Sequence, residues 1–191
     1  MTDSDWRSRR WDATHQRIYG AAMGLFDEHG FERVNVGQIA AGAGVSVPTF
    51  YAHYPSKEHI VMQLPTTEQM SALLATQPSE LPLRDRLAGI APIWLAQWGP
   101  EERVDLLARW RIIASTPALR TRAAEFERTT GEMIAGALPG EDGAAPRPSD
   151  AIVINAYLAA FTSGLLAWAD GHGERKLEEH MDEAFEALKD L

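Results

Sequence analysis

Apolar positions in the first sixty residues recur at helical spacing. Ile18, Ala21, Ala22, Leu25 and Phe26 fall three, four, seven and eight apart. That period predicts a first amphipathic helix from about Trp11 to His29. Gly30 follows, where a helix ends cheaply in a left-handed cap. Asn35, with Gln38 three residues on, forms a capping box that opens a second helix, with Ile39, Ala40 and Ala43 as its buried stripe. Gly44 is placed to turn with positive φ, and Val45 to fill the angle between two helices. Ser46 is a good N-cap for a short third helix. Its first turn holds Val47, Pro48 and Thr49, where a proline loses no needed hydrogen bond. Phe50 and Tyr54, four apart, share an inward face, whereas Tyr51, Ala52 and His53 lie on others. Ser56 is placed to cap a fourth helix, with Lys57 and Glu58 in its first turn.

Beyond residue 61 the pattern stays helical. Helices are expected at about 82–98, 101–115, 117–138, 149–170 and 174–190. Pro65 falls inside the fourth helix and predicts a kink or a split there. The stretch Pro139 to Pro148, PGEDGAAPRP, is a mobile loop by composition. Ala151 to Ala169 carries no charge around nearly its whole circumference. A membrane span needs about 20 apolar residues, and Asn155, Thr162, Ser163 and Gly164 interrupt this one. It reads instead as a helix buried on both sides, one toward its own domain and one toward a partner subunit. Leu177, Met181, Phe185 and Leu188 then repeat along the last helix. These two helices predict a self-complementary four-helix packing, with a purely intramolecular core as the alternative.

Charge changes the picture by region. The 191 residues sum to -9 and include no cysteine, which removes disulfides, thiolate metal sites and cysteine nucleophiles. Residues 1–60 are nearly neutral, at -1, and the remainder holds -8. A near-neutral region still meets a polyanion if its few cations gather on one face. Arg7, Arg9 and Arg10 form either such an arm or a solvated, disordered end. The polar N-terminus has no apolar run, so the expectation is a cytoplasmic protein without a secretory signal or membrane span. Phosphate-binding glycine loops, HExxH, GxSxG and spaced metal ligands are all missing from the sequence. No enzymatic activity, catalytic residue, metal or cofactor is expected.

A helix, a tight glycine turn and a short helix with small and hydroxylated residues follow helix-turn-helix grammar, although hairpins in helical bundles imitate it. The stretch Gly30 to Ile60, GFERVNVGQIAAGAGVSVPTFYAHYPSKEHI, carries more. Gly30-Phe31, Ile39-Ala40, Ala43-Gly44-Val45-Ser46, Thr49-Phe50-Tyr51, Tyr54 and Lys57-Glu58 resemble the head of the tetracycline-repressor (TetR) family. The resemblance implies an all-α protein: a three-helix helix-turn-helix DNA-binding head, residues 1–60, on a helical ligand-binding and dimerisation domain, residues 61–191. It also implies that Thr49, Tyr51, His53 and Lys57 bond DNA phosphates and that Pro48 touches base edges. Val47 stands where a long polar residue is common, and Ala52 is small. Reading by these two side chains must then rest on apolar contact, such as thymine methyls, and on DNA shape.

Aromatic residues gather in the body. Trp94, Trp98, Trp110, Phe126, Tyr157 and Phe161, with the hydroxyl of Thr130, suit a pocket for an apolar or aromatic effector. Gln97, Asn155 and Thr162 are further polar candidates. Leu166, Met181, Phe185 and Leu188 are the expected dimer seam, since the last two helices pair the subunits in TetR-like proteins. The functional expectation is a repressor released from a palindromic, inverted-repeat operator in double-stranded DNA by a small molecule. Pro65 is a place for the pivot between body and head. A DNA-binding dimer without ligand input, or an activator, is the alternative.

Overall fold

The first helix starts earlier than its apolar stripe alone indicates. In the computed structural model, which describes residues 3–63, 65–138 and 147–189, α1 runs Asp3–His29. Arg7, Arg9 and Arg10 are therefore helical and not part of a disordered end. Trp11 and His15 continue the stripe of Ile18 and Ala22 toward the N-terminus. All regular structure among the described residues is helical. Two compact units result, Met1–Gln63 and Leu64–Leu191.

In the first unit a 3-10 turn, Phe31–Arg33, links α1 to α2, Val36–Gly42. The expected capping box is present. Asn35 Oδ1 accepts from the Gln38 amide at 3.0 Å, and Gln38 Oε1 accepts from the Asn35 amide at 2.8 Å. Gly44 turns with φ +64° into α3, Val47–His53. The following helix α4, Glu58–Val61, is only one turn. Ser56 does not cap it. Lys57 occupies the N-cap without a side-chain bond, so Ser56 lies one residue too early to reach an orphan amide. Its hydroxyl instead meets His59 Nδ1 at 2.9 Å.

The helical run breaks after Val61 and resumes as α5, Thr67–Ala75. Proline cannot donate into a continuing helix, and the expected split at Pro65 is observed. Thr66 and Gln69 form a second capping box that starts α5 afresh. The other helices of this unit are α6 Leu83–Ala96, α7 Pro100–Ser115, α8 Pro117–Ala137, α9 Pro148–Asp170 and α10 Leu177–Glu186. Proline occupies the first position of α7, α8 and α9, where its fixed φ suits helix entry. Residues 139–146 of the expected loop lie outside the described residues.

Helix α9 is long and apolar enough to cross a membrane, with mean hydropathy 1.6. In this unit it packs against α6, α7, α8 and α10 instead. One apolar cluster joins Met70, Leu74, Leu87, Ile134 and Ile154. The other joins Leu95, Leu106, Leu165, Trp168, Leu177 and Met181. Within the chain, only one side of α9 is covered. Ile152 is 70% exposed, and Ala159, Ser163 and Ala167 are exposed with it.

Met181 departs from its expected place at a dimer seam. Only 1% exposed, it points into its own core beside Gly164. A Cβ added at Gly164 would come within 2.9 Å of Met181 Sδ and 3.3 Å of the His180 carbonyl. The missing side chain is what lets α9 and α10 approach. The apolar stripe of α10 is thus used within the subunit at Leu177 and Met181, while Leu166, Phe185 and Leu188 are half-buried. Met181→Ala should cost about 2–5 kcal/mol of stability in urea, as a buried large-to-small change does, with sedimentation unchanged. Subunit separation without loss of stability would put Met181 back at a seam.

Candidate nucleic-acid interface

Helix α3 has seven residues, too few to persist alone. Its start is fixed by Ser46, whose Oγ accepts from the Thr49 amide at 3.1 Å and lies 2.7 Å from the Thr49 hydroxyl. Its inner face is fixed by Phe50, fully buried, and Tyr54, at 4% exposure. Burying those two turns the opposite faces outward. Val47 is 40% and Tyr51 53% exposed, and Pro48 and Ala52 are exposed between them. Large apolar side chains held at the surface of a capped helix suit the methyl-bearing floor of a major groove.

Four aromatic rings lock α3 to α1. His15 stacks on Tyr54 at 4.2 Å between ring centroids and on Trp11 at 4.9 Å. His53 meets Trp11 at 4.6 Å and His15 at 5.6 Å. Nδ1 of both imidazoles is enclosed and meets no hydrogen-bond partner among the described residues. Burial, then the neighbouring His53, pull the His15 pKa below that of an ordinary imidazole, against a smaller pull from Asp12. Burial lowers that of His53 as well. The seam therefore favours two neutral rings. Trp11 and His15 are not among the expected contact residues; what marks them in the sequence is the continuation of the Ile18–Ala22 stripe at four- and seven-residue steps.

The seven expected DNA contacts divide. Val47, Pro48, Tyr51 and Ala52 share the exposed surface of α3. Thr49, His53 and Lys57 are half-buried and engaged locally. Thr49 is bound to the Ser46 cap, and His53 to the aromatic seam. Lys57 Nζ donates to the carbonyls of Phe31 and Val34, both at 2.8 Å, and lies 4.3 Å from the Phe31 ring centroid. It closes the 3-10 turn onto α4. Arg33 is likewise turned to the backbone, its Nε donating to the His29 carbonyl at 2.6 Å.

In the second unit, the structure brings part of the expected effector set together. Trp94 lies edge-to-face with Trp98 at 5.2 Å and with Phe161 at 4.9 Å. Trp110 packs on the same cluster. Tyr157 sits against Phe185 at 5.6 Å and borders the other cluster. Phe126 and Thr130 are half-buried on α8, and Gln97 and Asn155 are exposed. The indole N–H of Trp98 is enclosed without a partner among the described residues. Beside it, Arg109, 3% exposed, is ion-paired to Asp105 at 3.0 Å. Among the described residues, no group of three or more His, Asp or Glu side chains is placed to hold a metal.

Two outcomes follow. Above about pH 6.5 both imidazoles are neutral whether folded or unfolded. Below it the unfolded chain takes up protons that the folded seam resists, so stability falls as the pH drops. Thermal melts from about pH 7.5 to 5 should show this loss, and His15→Gln with His53→Gln should flatten it. An unaltered slope would mean the seam is not the titrating element. Lys57→Met should destabilise the DNA-free protein by about 1–3 kcal/mol, the cost of stranding two part-buried carbonyls. Unchanged stability would place this ammonium in solvent.

Comparison with known proteins supports this geometry. Residues 18–64 match the family described as bacterial regulatory proteins, tetR family. Residues 88–191, more than half the chain, match the MftR C-terminal domain. MftR of Mycobacterium tuberculosis, named as a transcriptional regulator of mycofactocin biosynthesis, is 32% identical over 129 residues, 66% of this chain and 65% of MftR. The transcriptional regulator TcmR of Streptomyces glaucescens is 31% identical over 134 residues, 66% of this chain and 58% of TcmR. The chain thus aligns with less than two thirds of either relative's length. NalD of Pseudomonas aeruginosa, described as the secondary repressor of a multidrug efflux pump, shares the fold with TM-score 0.54 at 20% identity, over 93% of this chain and 96% of NalD. A capped helix-turn-helix, an all-helical body and two family matches that together span most of the sequence make this chain a member of the TetR family of DNA-binding transcriptional regulators.

Proposed function

We propose that this regulator is a repressor that binds an inverted-repeat operator as a two-fold homodimer and leaves it when a small apolar or aromatic compound occupies the second unit. The observation that carries the ligand reading is the enclosed, unpartnered indole N–H of Trp98 within the Trp94, Trp98, Trp110 and Phe161 group. A buried donor without a partner is costly, and an acceptor on an otherwise apolar compound satisfies it. Val47, Pro48 and Ala52 face the bases and Tyr51 a phosphate, with Thr49 and His53 as supporting phosphate contacts. Lys57 holds the turn beneath them, one N–H remaining for phosphate. The uncovered side of α9, with Leu166, Phe185 and Leu188 at its margins, supplies the subunit contact. Two-fold pairing places two heads on inverted half-sites.

Selection of bound duplexes from a random pool tests the operator, and it should return inverted half-sites. Hydrophobic compounds are then screened by tryptophan quenching, and each binder is titrated against the selected operator. Ligand and operator should weaken each other by one common factor, typically about 5- to 150-fold. Trp98→Phe should weaken the compound without altering operator affinity in its absence. A compound that quenches yet leaves operator affinity unchanged would make this a DNA-binding dimer without ligand input.

A further inference from the structure

The head's cations are unevenly placed. Residues 1–60 hold six Lys and Arg side chains: Arg7, Arg9, Arg10, Arg17, Arg33 and Lys57. Two of them, Arg33 and Lys57, are bound to the head's own carbonyls. The other four all lie between residues 7 and 17 of α1, and all four are exposed. Phosphate neutralisation supplies much of any protein's affinity for DNA. With the unit near neutrality, it has to come chiefly from this segment.

The segment is organised. Trp6, Arg10, Thr14 and Arg17 sit at steps of four, four and three, so they share one helix face. The Arg10 guanidinium lies 5.3 Å from the Trp6 ring centroid. Arg17 Nη2 reaches the Thr14 hydroxyl at 3.4 Å, and that hydroxyl in turn donates to the Arg10 carbonyl at 3.0 Å. Asp12 projects from the opposite side of the helix. Arg10 and Arg17 stand about 10 Å apart along the axis, seven residues at about 1.5 Å each. Two large aromatic residues stay in solvent here, Trp6 at 52% and Trp11 at 49% exposure. Trp11 is also the residue that meets His53 of α3, so the basic face adjoins the element that reads DNA. The match to the tetR family begins only at residue 18, so this segment precedes the matched region.

We propose that the Trp6–Arg10–Thr14–Arg17 face of α1 is a second DNA-docking surface, binding phosphates of the duplex that flanks each half-site. It acts alongside α3 and carries no base preference, since Arg10 and Arg17 meet the backbone and Trp6 orients Arg10. The inference rests on the DNA-binding reading of this family member.

The test is a salt series on the selected operator, in one duplex trimmed to the half-sites and one extended by a helical turn on each side. The parent should bind the extended duplex more tightly. Arg10→Ala with Arg17→Ala should lower the salt slope on the extended duplex by about 1.8, two phosphates at about 0.9 each. From about 50 to about 200 mM salt the parent then loses about twelvefold more affinity than the variant. Both proteins should select the same half-site and melt alike. Arg10→Lys with Arg17→Lys should restore the slope, because the charge is kept. Equal slopes for parent and double-alanine variant on the extended duplex would overturn the proposal and leave the basic face to another anionic surface. Failure of the parent to bind any duplex would instead remove the DNA-binding reading beneath it.

Discussion

Seven residues cannot hold a helix in water, so what the head presents depends on what holds α3 from behind. Phe50 and Tyr54 are buried, Ser46 caps the start, and the Trp11–His15–His53 rings pin α3 against α1. These contacts fix the rotation of α3. With that rotation fixed, Val47, Pro48, Tyr51 and Ala52 have nowhere to point but outward. The exposed apolar surface is a consequence of core packing one helical turn away. A helix positioned from behind needs no DNA to order it, which limits the entropy lost on binding.

Charge is deployed on the same plan. A near-neutral head has few cations, and Lys57 and Arg33 donate to its own backbone carbonyls. The exposed arginines are concentrated on one stretch of α1. In the other unit, α9 organises two apolar clusters around itself and leaves one side uncovered, of small residues with Ile152. Gly164 sets how closely α10 can come, and Met181 fills the space beside it.

The features legible in the sequence were those decided within a few residues. The capping box at Asn35 and Gln38, the positive φ at Gly44, the Ser46 cap, the inward pair Phe50 and Tyr54 and the break at Pro65 each depend on local backbone chemistry. All were readable as such. The misplaced features depend on a distant partner. Ser56 is the local exception: α4 starts one residue later than the pattern indicates, and the Ser56 hydroxyl meets His59 Nδ1 instead. Lys57 reads from sequence as a phosphate ligand alone, but it also donates to the Phe31 and Val34 carbonyls, more than twenty residues away in sequence. Met181 followed the apolar stripe of α10 correctly, but a stripe cannot say whether its partner is the same chain or another. The early start of α1 was missed because Trp6 and Arg10 lie off the apolar stripe that defined the helix.

The central claim is that the packing behind α3 turns an apolar surface to the bases. Replacing each thymine of the selected half-site by uracil removes one C5-methyl and nothing else. Affinity should fall at one or two positions in each half-site, with little effect elsewhere. Uniform tolerance of uracil across the operator would contradict it, and would place sequence preference in DNA shape.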